Sequence, residues 1–257
     1  MKTNARVGLI LIGDELLNGS RQDKHMAKVI SLLKARGLPL SWVRMIGDEY
    51  PLLISTFQET MKTNDIVFSF GGIGATPDDK TRQCSADAAG VRLLRHPQLV
   101  ALLEKRFGKE AYPQRIRMSE LPDGATLIPN PINQVAGYKL LNHHFVPGFP
   151  DMAWPMVEWS LDTYYSHLFD PEPPIEQRWI LRNVRESDLI PMMEELLKTF
   201  PGVHLSSLPS TTVSSQVDFG LKGKQNAVSA AANWFEQRMS SEQVDHTPIE
   251  EVTDLAP

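Results

Sequence analysis

The 257-residue chain is 42% hydrophobic and 22% charged, with a formal net charge of −5, a balance typical of globular rather than disordered proteins. The acidic charge argues against a general nucleic-acid or membrane-surface binder, and no apolar run is long enough to cross a bilayer. The single cysteine, Cys84, excludes an internal disulfide and a cysteine-based zinc site. It reads as a helix-face residue, and a reducing cytoplasm is the default compartment.

Val7 to Ile12 is a short apolar run that reads as a strand covered on both faces, not as part of a signal peptide. It ends in the polar turn Gly13-Asp14-Glu15-Leu16-Leu17-Asn18-Gly19. Asp23 can cap a helix carrying Met26, Val29, Ile30 and Leu33, which Gly37 ends. Leu38 to Met45 predicts a second strand, followed by Gly47-Asp48, and Leu52 to Met61 predicts a helix. Ile66 to Phe70 predicts a third strand, which runs directly into Gly71-Gly72-Ile73-Gly74. Alternating strands and helices of this length imply a parallel sheet with right-handed crossovers, which binds ligands at the carboxyl ends of its strands.

Helices are expected over 82–89 and 98–107, and strands over Thr126–Ile128 and Tyr138–Val146. Pro147-Gly148-Phe149-Pro150 is a third strand-end turn, before a helix over 151–168 whose Trp154, Met156, Trp159 and Tyr164 read as packing surface. Pro171-Glu172-Pro173-Pro174 marks a boundary. Beyond it the pattern is βαββα: Arg178–Val184, a helix over 188–199 capped by Ser187, strands over 203–208 and 213–221, and a helix presenting Ala227, Ala231, Phe235 and Met239. The expected domains are thus 1–170 and 175–239, with a disordered tail over 240–257.

The segment Ser69 to Thr81 carries the clearest chemistry. Its glycines permit positive φ and let backbone N–H groups approach an anion, and the following helix adds a partial positive charge at the same place. Asp78 and Asp79 would repel a bare phosphate, a conflict that a divalent cation shared between carboxylate and phosphate removes. Either acid can instead cap the helix. Asp14 and Glu15 leave a neighbouring strand at the same edge and offer a second carboxylate source, or serve their own turn. Lys80 and Arg82 can steady a phosphate or belong to a solvated helix start. His143 and His144, adjacent in a strand, point to opposite faces and cannot chelate one metal together.

Gly71-Gly72-Ile73-Gly74 with Asp79 and Thr81 resembles the Gly-Gly-Thr-Gly-x-x-x-x-Asp-x-Thr signature of the molybdopterin-binding domain of MoaB, MogA and MoeA-type proteins. The fuller pattern, including Thr76 and Asp78, is similar to the N-terminal domain of the CinA (competence/damage-inducible protein A) family. Gly13 to Gly19, Asp23, Asn130-Pro131 with Gly137, and Val146-Pro147-Gly148-Phe149-Pro150 resemble further motifs of that family, in order, over roughly residues 5–168. His25 stands where relatives often carry Asn, and Ile73 replaces the Thr of the molybdopterin proteins.

The resemblance implies a three-layer α/β sandwich with a mostly parallel sheet, followed by a small KH-like α+β domain. Gly220-Leu221-Lys222-Gly223 is read there as a turn and not as an RNA-binding loop. It implies a nucleotide or pterin ligand, with molybdopterin one candidate, and a metal-dependent pyrophosphatase acting on ADP-ribose- or FAD-like dinucleotides. The alternative is a binding protein without turnover. In that scheme Asp79, Asp78 and Asp14 are catalytic, and Asp79 and Asp78 hold magnesium, manganese or cobalt. Gly71, Gly72, Gly74, Thr76, Thr81, Gly13, Glu15, Asp23, Pro147 and Gly148 contact the ligand. A homo-oligomer, dimer or trimer, is expected, with no nucleic-acid or membrane partner. The amidase that follows in many relatives is not expected in a chain ending at residue 257.

Overall fold

The computed structural model describes residues 5–249, and its contacts divide into two units, one ending at Asp170 and one beginning at Pro171. In the first unit β1 (Val7–Ile12) leads through the one-turn α1 (Asp14–Leu17) to α2 (His25–Lys34), β2 (Leu40–Ile46), α3 (Tyr50–Thr60) and β3 (Ile66–Phe70). Then come α4 (Thr81–Ala89), β4 (Leu93–Arg95), α5 (Pro97–Phe107), β5 (Glu120–Pro122), β6 (Thr126–Ile128), β7 (Gly137–Leu140), β8 (His143–Val146) and α6 (Pro150–Tyr164).

The central sheet has the order β2-β1-β3-β8-β7-β6. β2, β1, β3 and β8 run parallel, whereas β7 is antiparallel to both β8 and β6. The alternation of side chains along each strand separates two cores. Val7, Leu9, Leu11, Phe68 and Phe70 pack with Val29 and Leu33 of α2 and Met156, Val157 and Leu161 of α6. Ile10, Ile12, Val67 and Phe145 pack on the other face with Leu53 and Phe57 of α3, Cys84 of α4, and Leu99 and Leu103 of α5. The result is a three-layer α/β sandwich.

One expectation changes here. Tyr138–Val146 is not one strand but a hairpin, because Leu141 and Asn142 turn the chain, with Leu141 at a φ of 53°. The small β4–β5 ladder was missed, since three-residue strands carry too little periodicity to register. The adjacent histidines do face opposite ways. His143 bonds Thr60 Oγ1 at 2.8 Å in one core, while His144 packs on Phe68 at 4.8 Å in the other. Burial pushes both imidazoles down to about 3, and burial raises the Cys84 thiol to about 11, which leaves it inert as a nucleophile at neutral pH.

The second unit contains β9 (Ile175–Arg182), α7 (Glu186–Thr199), β10 (Val203–Pro209), β11 (Gln216–Gly223), α8 (Gln225–Ser241) and β12 (Asp245–Ile249). Its antiparallel sheet has the order β10-β11-β9-β12. Trp179, Leu181, Val217, Phe219 and Leu221 form its core with Leu189 and Leu196 of α7 and Phe235 and Met239 of α8. The disorder expected over 240–257 is contradicted at Asp245–Ile249, which pairs with β9; residues 250–257 lie outside the described residues. Polar residues hid this edge strand, which buries little beyond its backbone. Ser187 is not the cap of α7, because the helix begins at Glu186. Gly220-Leu221-Lys222-Gly223 is no turn either, since it pairs on both sides within β11.

Phe145→Ala removes a fully buried ring packed between Phe57 and Tyr138 and is expected to cost about 3–5 kcal/mol. Denaturant unfolding should show the loss in the transition of the first unit alone; equal loss in both units would contradict two separate cores. Both core imidazoles should also keep constant NMR shifts from about pH 7 to about pH 5. Because their folded pKa is depressed, the stability they contribute is present above about pH 6.5 and is lost as pH falls toward 3.

Candidate functional site

Four loops leave the carboxyl ends of adjacent parallel strands: Gly47-Asp48 after β2, Gly13 onward after β1, Gly71 onward after β3, and Pro147-Gly148-Phe149 after β8. The chain reverses its direction of progress across the sheet between β1 and β3, and such a switch point opens a crevice at that edge. The backbones meet closely there. A Cβ on Gly71 would lie 2.6 Å from the Ile12 carbonyl, and one on Gly148 would lie 3.5 Å from Gly71 Cα.

The glycine loop is held in shape from within. The Gly71 amide donates to the Val146 carbonyl at 3.1 Å. Thr81 Oγ1 donates to the Gly71 carbonyl at 3.0 Å, and the Thr81 amide donates to the Gly72 carbonyl at 3.0 Å. Gly71 and Gly72 sit at φ of 101° and 67°, a region costly for any side chain, and a Cβ on Gly72 would collide with the Thr81 hydroxyl. Thr76 and Asp79 close the next turn: the Thr76 amide donates to Asp79 Oδ2 at 2.9 Å, its hydroxyl donates to the same oxygen, and the Asp79 amide donates to the Thr76 carbonyl at 3.1 Å. Among the described residues, the half-buried amides of Gly72, Ile73 and Gly74 meet no acceptor.

These bonds correct several expected roles. Gly71 cannot offer its N–H to a ligand, and Thr81, fully buried, shapes the loop rather than touching anything bound. The Gly13 amide is likewise engaged, by the Ile46 carbonyl at 3.1 Å. Asp23 caps α2: its carboxylate accepts from the amides of His25 at 2.8 Å and Met26 at 3.1 Å. Neither Asp78 nor Asp79 caps α4, since no side chain accepts from its first turn. Arg82 is buried and points its guanidinium at carbonyls, with Nη2 on Gly74 at 2.7 Å and Nη1 on Glu120 at 3.0 Å. Lys80 Nζ is held by the Asp48 carbonyl at 2.8 Å.

Asp48 is the residue that motif reading passed over. Its carboxylate accepts from the Asp14 amide at 3.1 Å while Asp14 returns the bond to the Asp48 amide at 3.1 Å, joining the β1 and β2 loops reciprocally. Burial, and then the negative charges of Asp14, Glu15 and Asp78, push the Asp48 carboxyl above its usual range. The Asp78 carboxyl is held below its usual range, first by the Thr76 hydroxyl. Asp48 thus faces carboxylates of the β1 and β3 loops at the strand ends. Among the described residues, no group of three His, Cys, Asp or Glu side chains is arranged to hold a metal unaided, so an ion here would draw further ligands from phosphate oxygens or water.

His25 is neither on the surface nor open to a ligand. Its Nε2 meets the Gly148 carbonyl at 3.3 Å and its ring lies 4.4 Å from Phe70. Burial lowers its pKa, keeping the imidazole neutral. It therefore pins the Pro147-Gly148 turn to the start of α2. Pro147 has no N–H to donate, which leaves the amides of Gly148 and Phe149 as the turn's donors.

Fold and site together define an α/β protein whose glycine loop lies at a sheet switch point. Residues 8–167 match the family described as Probable molybdopterin binding domain, and the chain belongs to that family. It is 31% identical over 215 residues to a CinA-like protein of Escherichia coli strain SMS-3-5, covering 79% of this chain and 54% of that protein. A protein of Pyrobaculum arsenaticum is 27% identical over 208 residues, 78% of each chain. Among solved structures, a CinA protein from Thermoplasma acidophilum superposes with a TM-score of 0.57 at 24% identity, over 62% of this chain and 98% of that one. No helix among the described residues is long and apolar enough to cross a membrane.

Thr81→Val leaves the buried Gly71 carbonyl without its donor and is expected to destabilise the first unit by about 1–3 kcal/mol. Thr81→Ser keeps the hydroxyl and should cost much less, as read by thermal unfolding. Equal losses would show that packing of the methyl group, not the hydroxyl, holds the loop.

Proposed function

We propose that the chain binds a nucleotide or pterin through its diphosphate and acts as a divalent-metal-dependent pyrophosphatase on ADP-ribose- or FAD-like dinucleotides. The observation that carries this reading is the set of acceptor-free amides at Gly72, Ile73 and Gly74, beside the carboxylates of Asp14, Asp48, Asp78 and Asp79. Amides fixed before the ligand arrives need no reorganisation to receive phosphate oxygens. Magnesium, manganese or cobalt would fit between those oxygens and the carboxylates, and would supply charge neutralisation at the phosphoryl group. Asp79 positions the loop through Thr76 and keeps Oδ1 for an ion or water. Asp48, raised in pKa, is suited to hold a proton taken from an attacking water.

A second reading, molybdopterin or nucleotide binding without turnover, is favoured by the engagement of Asp79 Oδ2 in the turn, which leaves that acid less free for chemistry. It also agrees with the family description. In either case we place the chain in a dimer or trimer, to be read by analytical ultracentrifugation.

Purified protein incubated with each metal and a panel of dinucleotides should release mononucleotides, and Asp79→Ala should lower that release by about 100-fold or more. Gly72→Ala should abolish ligand binding while the protein still folds. Tight binding without products would favour the second reading, and neither binding nor products would overturn both.

A further inference from the structure

Phe149 is anomalous for its position. Its backbone is fixed on both sides: the preceding Gly148 carbonyl faces His25 at 3.3 Å, and its own carbonyl accepts from Met152 and Ala153 at 3.1 and 2.9 Å to begin α6. The turn also packs on Gly71, at the rim of the glycine loop. Yet the ring is 56% exposed. An exposed aromatic alone means little, but this one carries a lid from another loop. The Arg21 guanidinium lies over its face, 5.7 Å from the ring centroid. Arg21 is itself half exposed, and a carboxylate oxygen, Glu15 Oε1, is 3.9 Å away, so the guanidinium is loosely held beside a residue whose backbone is fixed.

We propose that Arg21 and Phe149 form a clamp for a planar heteroaromatic ring, a nucleobase or a pterin, carried by the ligand whose diphosphate occupies the Gly72–Gly74 amides. This deepens the reading above and rests on it. Two flat groups that sandwich a third need about 3.5 Å on each side, or about 7 Å in all. The guanidinium carbon now stands 5.7 Å from the ring centroid, so the arginine swings outward to admit the third ring. Phe149 supplies a rigid π face, and the guanidinium, planar and weakly hydrated, stacks on the opposite one. Sequence tolerance is built in, because every base or pterin has such a face. Phe149 and Arg21 are then the residues that set preference for ring-bearing diphosphates over bare ones.

The test is calorimetric titration of the full chain, with magnesium, using inorganic pyrophosphate, ADP and 6-hydroxymethylpterin pyrophosphate. Phe149→Ala should weaken at least one ring-bearing ligand by about tenfold or more, leave pyrophosphate unchanged, and be rescued by Phe149→Tyr. Whichever ring ligand shows the loss identifies the ring as base or pterin. The clamp is overturned if Phe149→Ala leaves all three ligands unchanged, or weakens pyrophosphate as much as the ring-bearing two. In either event, loss of pyrophosphate binding in Gly72→Ala would leave the phosphate seat standing. Absence of binding by wild-type protein to any of the three would remove both.

Discussion

Two bonds at Gly71 govern the site: its amide to the Val146 carbonyl, and its carbonyl from the Thr81 hydroxyl. The first ties the loop leaving β3 to the neighbouring strand β8; the second ties it to the start of α4. Gly71 and Gly72 take positive φ, and the three amides of Gly72, Ile73 and Gly74 have no acceptor among the described residues. These partly exposed amides are the groups that the proposed function assigns to phosphate oxygens. Glycine is required because a Cβ at either position would meet the Ile12 carbonyl or the Thr81 hydroxyl.

The charges at this edge follow a consistent division. The basic groups that flank the loop are engaged by backbone carbonyls: Arg82 holds that of Gly74, and Lys80 holds that of Asp48. The acids remain at the rim, where Asp48 is raised in pKa by burial and by Asp14, Glu15 and Asp78. The proposed function asks this edge to take phosphate together with a divalent ion, which neutral amides and a surplus of carboxylates would suit better than free phosphate. The neutral, buried His25 adds no charge; it fixes the height of the Pro147-Gly148 turn.

Much of this was legible in the residues. β1 and β3 follow from short apolar runs, and the glycine loop follows from a strand emptying into three glycines. Placing the β1 and β3 loops on one edge required only that parallel strands carry ligands at their carboxyl ends. What could not be read was which polar atoms the chain uses itself. Thr81 and Asp23 have the same composition whether they face a ligand or a backbone amide, and only the path of the loop decides. Asp48 was hidden because it lies after β2 without a motif of its own, and its importance arises from reciprocal bonds with a residue thirty-four positions away. β12 was hidden for a different reason, since an edge strand of Asp245-His246-Thr247-Pro248-Ile249 has little hydrophobic alternation to betray it.

The amide resonances of Gly72, Ile73 and Gly74 offer the most direct measurement. Titrating isotope-labelled protein with ADP-ribose and a non-hydrolysing level of magnesium should shift these three signals and slow their exchange with solvent. Gly71, already bonded to Val146, should keep its protection throughout. If the three amides stay unchanged while ligand binds, or if the shifts fall in the second unit, the diphosphate does not sit at this loop and the account fails.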